Sequence, residues 1–395
     1  MQDTRTIESP QMAGVPALPA SALLEGRAAL VVDLRSPGEF AEDHVPGAVN
    51  VPLFDDAQRA LVGTLYQRES PQAAFAEGRE IVAGRIAELC ARIAALAGEP
   101  LPHADLAARV RAASAGGIEQ LERAIAPIPA AALPERPLVL HCWRGGLRSR
   151  SVVWLLRTLG LERAVVLHGG YRAWRAEVVR GIESWQAPRA CVLRGLTGVG
   201  KTLVLRELER LRPGWTIDLE GLAGHRSSLL GGVGLEPVSQ KCFESRLFER
   251  LRARAGPVVV FEGESRKVGD VILPRPIWRA LCGGVNLELC AEPARRSAVL
   301  QQDYLAARGS VDELARILPA IEARMRRPAH EPTLVELLRS GRVDELVLLL
   351  LEQYYDPLYR HSQLGTSYAA SFDASEPARA ARAIAAWIEQ HADLG

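Results

Sequence analysis

One stretch restricts this chain more than any other: Gly195-Leu196-Thr197-Gly198-Val199-Gly200-Lys201-Thr202 fits G-x-x-x-x-G-K-[ST] at every fixed position. An apolar run, Ala190–Arg194, precedes it, and a helical pattern, Lys201–Leu211, follows. Strand, glycine-rich turn and helix in that order are the context a phosphate-binding loop requires. The glycines let backbone N–H groups turn inward around a phosphate. Lys201 adds a point charge, and the helix N-terminus a partial positive one. Gly195, Gly198, Gly200, Lys201 and Thr202 are therefore the expected phosphate-binding residues, with Thr202 a ligand of Mg²⁺ where that ion is bound. A strand ending in a carboxylate should stand nearby. Val258–Glu262 is the first candidate and Thr216–Asp218 its rival, and Glu264 lies just beyond. Asp218, Glu262 and Glu264 are thus the carboxylates expected around a metal or behind its ligands, the metal itself unidentified.

The same alternation of short apolar runs and helical patterns occupies the N-terminal half. Ala29–Leu34, Ala48–Val51, Pro137–His141 and Ala164–Leu167 read as strands, with helices over Glu39–His44 and Ser149–Leu159. Strands alternating with helices imply a parallel sheet in each half. The proline-containing stretch Trp185–Arg189 is the best linker, which divides the 395 residues into 14–186 and 187–395. Residues 56–135, rich in Ala, Arg, Glu and Leu, read as a helical insertion in the first part. The last stretch, from about Ser310, reads as a mostly helical tail.

A second motif opens on a strand and closes on a helix: His141-Cys142-Trp143-Arg144-Gly145-Gly146-Leu147-Arg148-Ser149. A thiol at a helix N-terminus, amid backbone N–H groups and two arginines, has its thiolate stabilised. The same nest of N–H groups would bind a tetrahedral anion or carry the terminal charge of a persulfide. Cys142 is the expected nucleophile, and Arg144, Gly145, Gly146, Arg148 and Ser149 form its anion loop. Two chemistries fit. The spacing is also that of cysteine-dependent phosphatases, in which Cys142 would attack phosphorus and Arg148 clamp the phosphate, here fused to an NTPase domain. That enzyme needs a general acid, and no Asp or Glu lies within the loop.

The segment upstream separates the two. Val31-Val32-Asp33-Leu34-Arg35-Ser36-Pro37-Gly38-Glu39-Phe40 and His44-Val45-Pro46-Gly47-Ala48-Val49-Asn50-Val51-Pro52 closely resemble the opening of a rhodanese domain. Rhodanese domain and P-loop in one chain resemble the bacterial tRNA 2-selenouridine synthase family. Gly63-Thr64-Leu65-Tyr66, Asp218–Ala223, His225-Arg226 with Ser228, Glu264-Ser265-Arg266 and Tyr354–Tyr359 agree, so the resemblance runs from about Ala29 to Arg360. It implies a transferase that converts wobble 2-thiouridine in tRNA to 2-selenouridine with selenophosphate. An S-geranyl-2-thiouridine intermediate would be made with geranyl diphosphate. Cys142 matches the family's essential cysteine, Asp33 and Arg35 its supporting residues, and Lys201 with its glycines the P-loop. Arg144 and Arg148 would hold selenophosphate or its phosphate product. The partners implied are tRNA carrying 2-thiouridine in its anticodon and an enzyme that supplies selenophosphate; no tightly bound cofactor is expected. The Ala-rich stretch 98–134 departs from the family pattern.

Composition narrows the setting. A formal charge of +1 gives no global signature of nucleic-acid binding, although all but three of the 48 basic residues are arginine. Arginine suits bidentate phosphate contacts, and Arg206–Arg212, Arg246–Arg254 and Arg324–Arg327 could line a tRNA-binding face, with Trp143 or Tyr355 stacking on an unpaired base. The six cysteines show no CxxC spacing, which argues against zinc and disulfide frameworks. No apolar run approaches the ~20 residues of a membrane span, and Met1–Pro16 lacks the apolar segment of a signal peptide. The expected location is the cytoplasm.

Overall fold

The computed structural model describes residues 14–25, 30–99, 119, 122–123, 125–130, 134–325, 331–362 and 365–391. The chain divides into two compact units, Met1–Arg180 and Gly181–Gly395. Each is built on a parallel sheet with helices around it.

In the first unit β1 (Val15–Leu18), β2 (Leu30–Asp33), β3 (Val49–Asn50), β4 (Pro127–Pro129), β5 (Leu138–His141) and β6 (Ala164–Leu167) stand in the order β3-β2-β5-β6-β1-β4, every pair parallel. β5 and β6 are buried at every residue, which is why they read as continuous apolar runs rather than alternating ones. Among the described residues the helices are α1 (Pro37–Glu42), α2 (Asp56–Arg68), α3 (Pro71–Ala83), α4 (Ile86–Leu96), α5 (Leu147–Thr158) and α6 (Gly170–Glu183). α2 begins at a capping box: Asp55 accepts from Gln58 N at 2.7 Å and Gln58 accepts from Asp55 N at 3.1 Å. α3 begins at Ser70 with Pro71 in the first turn, where a missing N–H costs nothing. α4 turns Ile86, Leu89, Cys90 and Ile93 into a core shared with Leu138, Leu140 and Leu156.

The insertion read as helical over 56–135 is corrected at its end. Residues 127–129 form β4, paired with β1 in the register Val15↔Pro127 and Ala17↔Pro129. Two prolines in three residues hid it, because proline cannot donate to a ladder; this strand is fully exposed at the sheet edge, where proline is tolerated. The Ala-rich stretch 98–134 lies mostly outside the described residues.

In the second unit β7 (Arg189–Arg194), β8 (Thr216–Ile217), β9 (Val258–Glu262), β12 (Val285–Cys290) and β13 (Ala370–Asp373) stand in the order β13-β12-β7-β9-β8, again all parallel, with a separate hairpin of β10 (Lys267–Val268) and β11 (Val271–Ile272). α7 (Lys201–Leu211) covers the sheet together with α16 (Pro377–Gln390), burying Val204, Leu205, Leu208, Ile384 and Ile388. α8 (Leu219–Ala223), α9 (Gln240–Arg252) and α10 (Arg275–Gly283) link the strands. A helical layer of α11 (Pro293–Leu305), α12 (Ser310–Glu322), α13 (Leu334–Arg339), α14 (Val343–Leu350), a π-helical turn (Leu351–Tyr355) and α15 (Asp356–Ser362) has its own leucine-rich core. The tail read as helical is corrected at β13, which is short, only half-buried at alternate residues, and held by pairing with β12.

Strand order reverses between β2 and β5 in the first unit and beside β7 in the second. In open α/β sheets such switch points are where ligands bind, at the carboxyl ends of the strands. Both sequence motifs lie there: Cys142 directly follows β5, and Gly195 directly follows β7. No described helix is long and apolar enough to cross a membrane.

Candidate active site

The Cys142 loop is folded by two close glycine contacts. Gly145 takes φ +62°, and Gly170 takes φ +61° where a Cβ would meet the Cys142 carbonyl oxygen at 2.4 Å. Tyr171 N then donates to Cys142 O at 2.9 Å, Arg172 N to Trp143 O at 3.0 Å, and Arg150 Nε to Gly145 O at 2.9 Å. The thiol is recessed, 3% exposed, with Sγ 3.3 Å from Ser149 Oγ in the first turn of α5. That helix starts after Gly146 with no side-chain cap and no acidic residue in its first turn; it carries Arg148 there instead. A basic residue at an uncapped N-terminus opposes the macrodipole. A bound anion reverses that balance. Arg144 is exposed, and Arg148 lies 3.9 Å from Glu39 of α1. Sequence reasoning missed this carboxylate because it is distant in sequence from the loop.

Asp33 and Arg35 pair with each other in the interior, and Asp33 lies beside His141, the residue before the cysteine. Both are fully buried, and Arg35 Nη2 donates to Asp33 Oδ2 at 2.6 Å and to Asp43 O at 2.7 Å. The Arg35 guanidinium lies 3.7 Å from the Tyr171 ring centroid, and Tyr171 OH donates to Asp43 Oδ2 at 2.6 Å. Tyr171 is therefore the link from this network to the carbonyl of Cys142. The buried His141 ring sits 3.7 Å from Asp33, and burial pushes its pKa down. Cys90 and Cys191 are core thiols, that of Cys90 pushed up to about 12 by burial. None of the six cysteines is joined in a disulfide.

At the end of β7, Gly195, Gly198 and Gly200 take φ of +152°, +78° and +90°. Gly198 backs so closely on α11 that a Cβ would meet Arg296 O at 2.8 Å. Lys201 Nζ donates to Gly195 O and to Tyr359 OH, each at 3.3 Å. Burial disfavours its charge, but Tyr359, Glu264 and Glu220 outweigh that and hold its pKa above the usual lysine range. Arg296, itself buried, donates to Thr197 O at 2.8 Å and forms a two-pronged pair with Asp356 at 2.5 and 3.0 Å. Asp356 and Tyr359 of the tyrosine-rich tail thus brace the phosphate loop from the far end of the sequence. Only folding reveals that, since nothing near Arg296 marks it.

Of the two carboxylate candidates, the strand-end Glu262 is the one beside the loop: Thr202 Oγ1 donates to Glu262 Oε2 at 3.3 Å, and Glu220 N to Glu262 Oε1 at 2.7 Å. Asp218 instead caps α8, accepting from Gly221 N at 2.6 Å. Burial, then the neighbouring carboxylates, pushes Glu262 well above the ordinary carboxylate range, and burial with Glu264 pushes Glu220 up to about 8. Burial raises Glu264 too, against the pull of Lys201. Such crowding of negative charge is relieved by a cation. Among the described residues no set of three or more His, Cys, Asp or Glu is arranged to hold a metal alone. The hydroxyl of Thr202 and the carboxylate of Glu262 fit Mg²⁺ that takes its other ligands from phosphate and water. Tyr355, read as a base-stacking candidate, is instead buried in the helical core; Trp143 packs 5.3 Å from Tyr171.

The model of a tRNA 2-selenouridine synthase AAA domain matches residues 188–317, and that of a rhodanese-like domain matches residues 19–83 and 103–177. A tRNA 2-selenouridine synthase of Bordetella petrii is 32% identical over 365 residues, 84% of this chain and 86% of that one. The chain belongs to the tRNA 2-selenouridine synthase family. The synthase of Pseudomonas fluorescens is also 32% identical, over 83% of this chain and 87% of its own, and that of Aeromonas salmonicida 29% identical over 85% and 87%. The rhodanese-like match passes over residues 84–102, which is where α4 lies.

Proposed function

We propose that this protein is a transferase that replaces the sulfur of wobble 2-thiouridine in tRNA by selenium, with S-geranyl-2-thiouridine as intermediate. The sulfur of 2-thiouridine attacks C1 of geranyl diphosphate; the C–S bond forms, the C–O bond breaks, diphosphate leaves and the base gives up its N3 proton. The selenium of selenophosphate then attacks C2 and the geranyl thiolate leaves; water cleaves the resulting Se–P bond, phosphate is released, and N3 regains its proton to give 2-selenouridine. Lys201, the glycine N–H groups of the P-loop and Thr202 would hold the diphosphate, and Mg²⁺ on Thr202 and Glu262 would neutralise its departing charge. Arg144, Arg148 and the first turn of α5 would hold selenophosphate beside Cys142.

The observation that supports this most is the helix α5 itself: uncapped, basic in its first turn, and with a thiol 3.3 Å from Ser149 in that turn. A helix end of that kind supports the binding of an anion beside the thiol. The test is nucleoside mass spectrometry of 2-thiouridine-containing tRNA incubated with protein and selenophosphate, with and without geranyl diphosphate. Wild type should yield 2-selenouridine and Cys142→Ser none. Unchanged nucleosides with both donors present would defeat the proposal and leave the phosphatase reading to be assayed on the same two proteins.

A further inference from the structure

Lys201 does not act alone in its loop. Besides Gly195 O, its Nζ has one protein acceptor that comes from far along the chain: the hydroxyl of Tyr359, 158 residues on, at 3.3 Å. The same Nζ lies 5.2 Å from the centroid of the Tyr359 ring. A lysine ammonium carries three N–H donors, and a phenol that accepts one of them keeps its own proton to donate. Two donors held this close can converge on one phosphate group, and hydrogen bonds to an ionised acceptor are the strong ones.

The fold goes to some length to deliver that hydroxyl. α14 buries Leu346, Val347 and Leu350 in the helical core, and a regular continuation would keep presenting that face. The π-helical turn Leu351–Tyr355 intervenes, a distortion that is frequent at functional sites. One extra residue in a turn advances the following helix face by about 100°. α15 then opens with Asp356 and Tyr359, three apart and so on one face, both engaged with the P-loop and its support. Asp356 takes both prongs of Arg296, at 2.5 and 3.0 Å, while Arg296 Nε donates to Thr197 O at 2.8 Å. The side chains of this pair are only 5% and 15% exposed. A buried ion pair adds little net stability, because desolvation offsets the attraction. What this one supplies is a fixed separation between the first turn of α15 and the backbone of the loop, and with it the placement of Tyr359 over Lys201.

We propose that Tyr359 is a phosphate-binding residue of the Gly195–Thr202 loop, its hydroxyl donating to the phosphate group that Lys201 holds, and that the Arg296–Asp356 pair is the brace that positions it. The hydroxyl recognises phosphate oxygens and nothing beyond them, so it adds affinity for the anionic head whatever the rest of the ligand is. This assignment rests on the reading of that loop as a phosphate site and adds to it a residue from the far end of the chain.

Calorimetric titration of the whole chain with inorganic pyrophosphate and Mg²⁺ tests this for wild type, Tyr359→Phe, Asp356→Asn and the double variant, with thermal unfolding of each alongside. Tyr359→Phe keeps the ring and removes one hydroxyl. It should weaken pyrophosphate binding about tenfold, the worth of a hydrogen bond to a charged group, at an unchanged melting temperature. Asp356→Asn should weaken binding by a similar factor, because the hydroxyl is no longer held in place, and adding Tyr359→Phe to it should then cost little more. Wild-type or tighter affinity in Tyr359→Phe overturns the proposal, since the ring would then only fill the loop or compete with phosphate for Lys201. So does weaker binding that comes with a lower melting temperature, which marks a structural role. Full additivity of the two losses overturns the brace. If Asp356→Asn does not fold once Arg296 has lost its buried partner, Tyr359→Phe alone decides. A wild type that binds no pyrophosphate sinks the reading of the loop as a phosphate site together with the proposal, whereas binding that ignores the hydroxyl sinks the proposal alone.

Discussion

His141 precedes Cys142 and is fully buried, its pKa pushed below 6.5 first by loss of solvent and then held down by Arg35 against the pull of Asp33. In the fold the ring is neutral, whereas in the unfolded chain it takes a proton below about pH 6.5. The unfolded state therefore binds more protons on acidification, and stability falls as pH drops through that value, by up to about 1.4 kcal/mol per pH unit for one such group. The midpoint of urea unfolding should fall between pH 7 and pH 5, and part of that fall should vanish in His141→Gln. Equal pH dependence in the two proteins would show that His141 carries none of it. Asp33→Asn makes a sharper case. It leaves the guanidinium of Arg35, 1% exposed, without its carboxylate. Removing one partner of a buried ion pair costs about 3–5 kcal/mol. Urea unfolding should register a loss of that order in the first unit, and the Cys142 loop, which Tyr171 ties to this network, should lose activity with it.

The β5–loop–α5 element works because a second turn, Gly169-Gly170, closes against it. Gly170→Ala asks an L-residue to adopt φ +61° and to place a methyl 2.4 Å from a backbone carbonyl that cannot retreat. The expected cost exceeds about 2 kcal/mol, since the left-handed conformation alone takes roughly 1–2. Gly47→Ala is the control: its φ is +76° but nothing lies within 4 Å, so only the conformational cost of roughly 1–2 kcal/mol should appear. Thermal unfolding of both variants checks the difference. The two loops at the strand ends were legible in sequence because each is a local pattern: an apolar strand, glycines at fixed offsets, then a helix. So was the carboxylate at the end of β9, which β7 brings beside Thr202 through parallel pairing. The elements that escaped are those whose stability is borrowed. β4 and β13 are edge strands of three and four residues, held by partners far away in sequence rather than by apolar patterning of their own. Glu39, Arg296 and Tyr359 escaped for a related reason, because each acts through a contact across many residues that no spacing rule encodes.

At the scale of the whole molecule, one chain carries two glycine-containing strand–helix loops in two separately organised units: the Cys142 loop on the first sheet and the Gly195–Thr202 loop on the second. Their chemistries differ in kind. The P-loop has a cation, a hydroxyl and a buried carboxylate but no nucleophile, which suits holding a diphosphate as it leaves. The Cys142 loop has a thiol and a helix with no side-chain cap and no acidic residue in its first turn, which suits a monoanionic or dianionic donor. If the units divide the reaction this way, damage to each should arrest it at a different species. Lys201→Ala should lower formation of S-geranyl-2-thiouridine by roughly tenfold or more, given the strength of a charge-assisted phosphate contact, yet still convert supplied S-geranyl-tRNA to 2-selenouridine. Cys142→Ser should do the opposite and accumulate the geranylated nucleoside. Mixed together, the two variants should restore 2-selenouridine, because tRNA released by one can be finished by the other. Mass spectrometry of the nucleosides separates these outcomes. The same arrested species from both variants would mean that one site carries out both steps, and the second loop would then be left with binding alone.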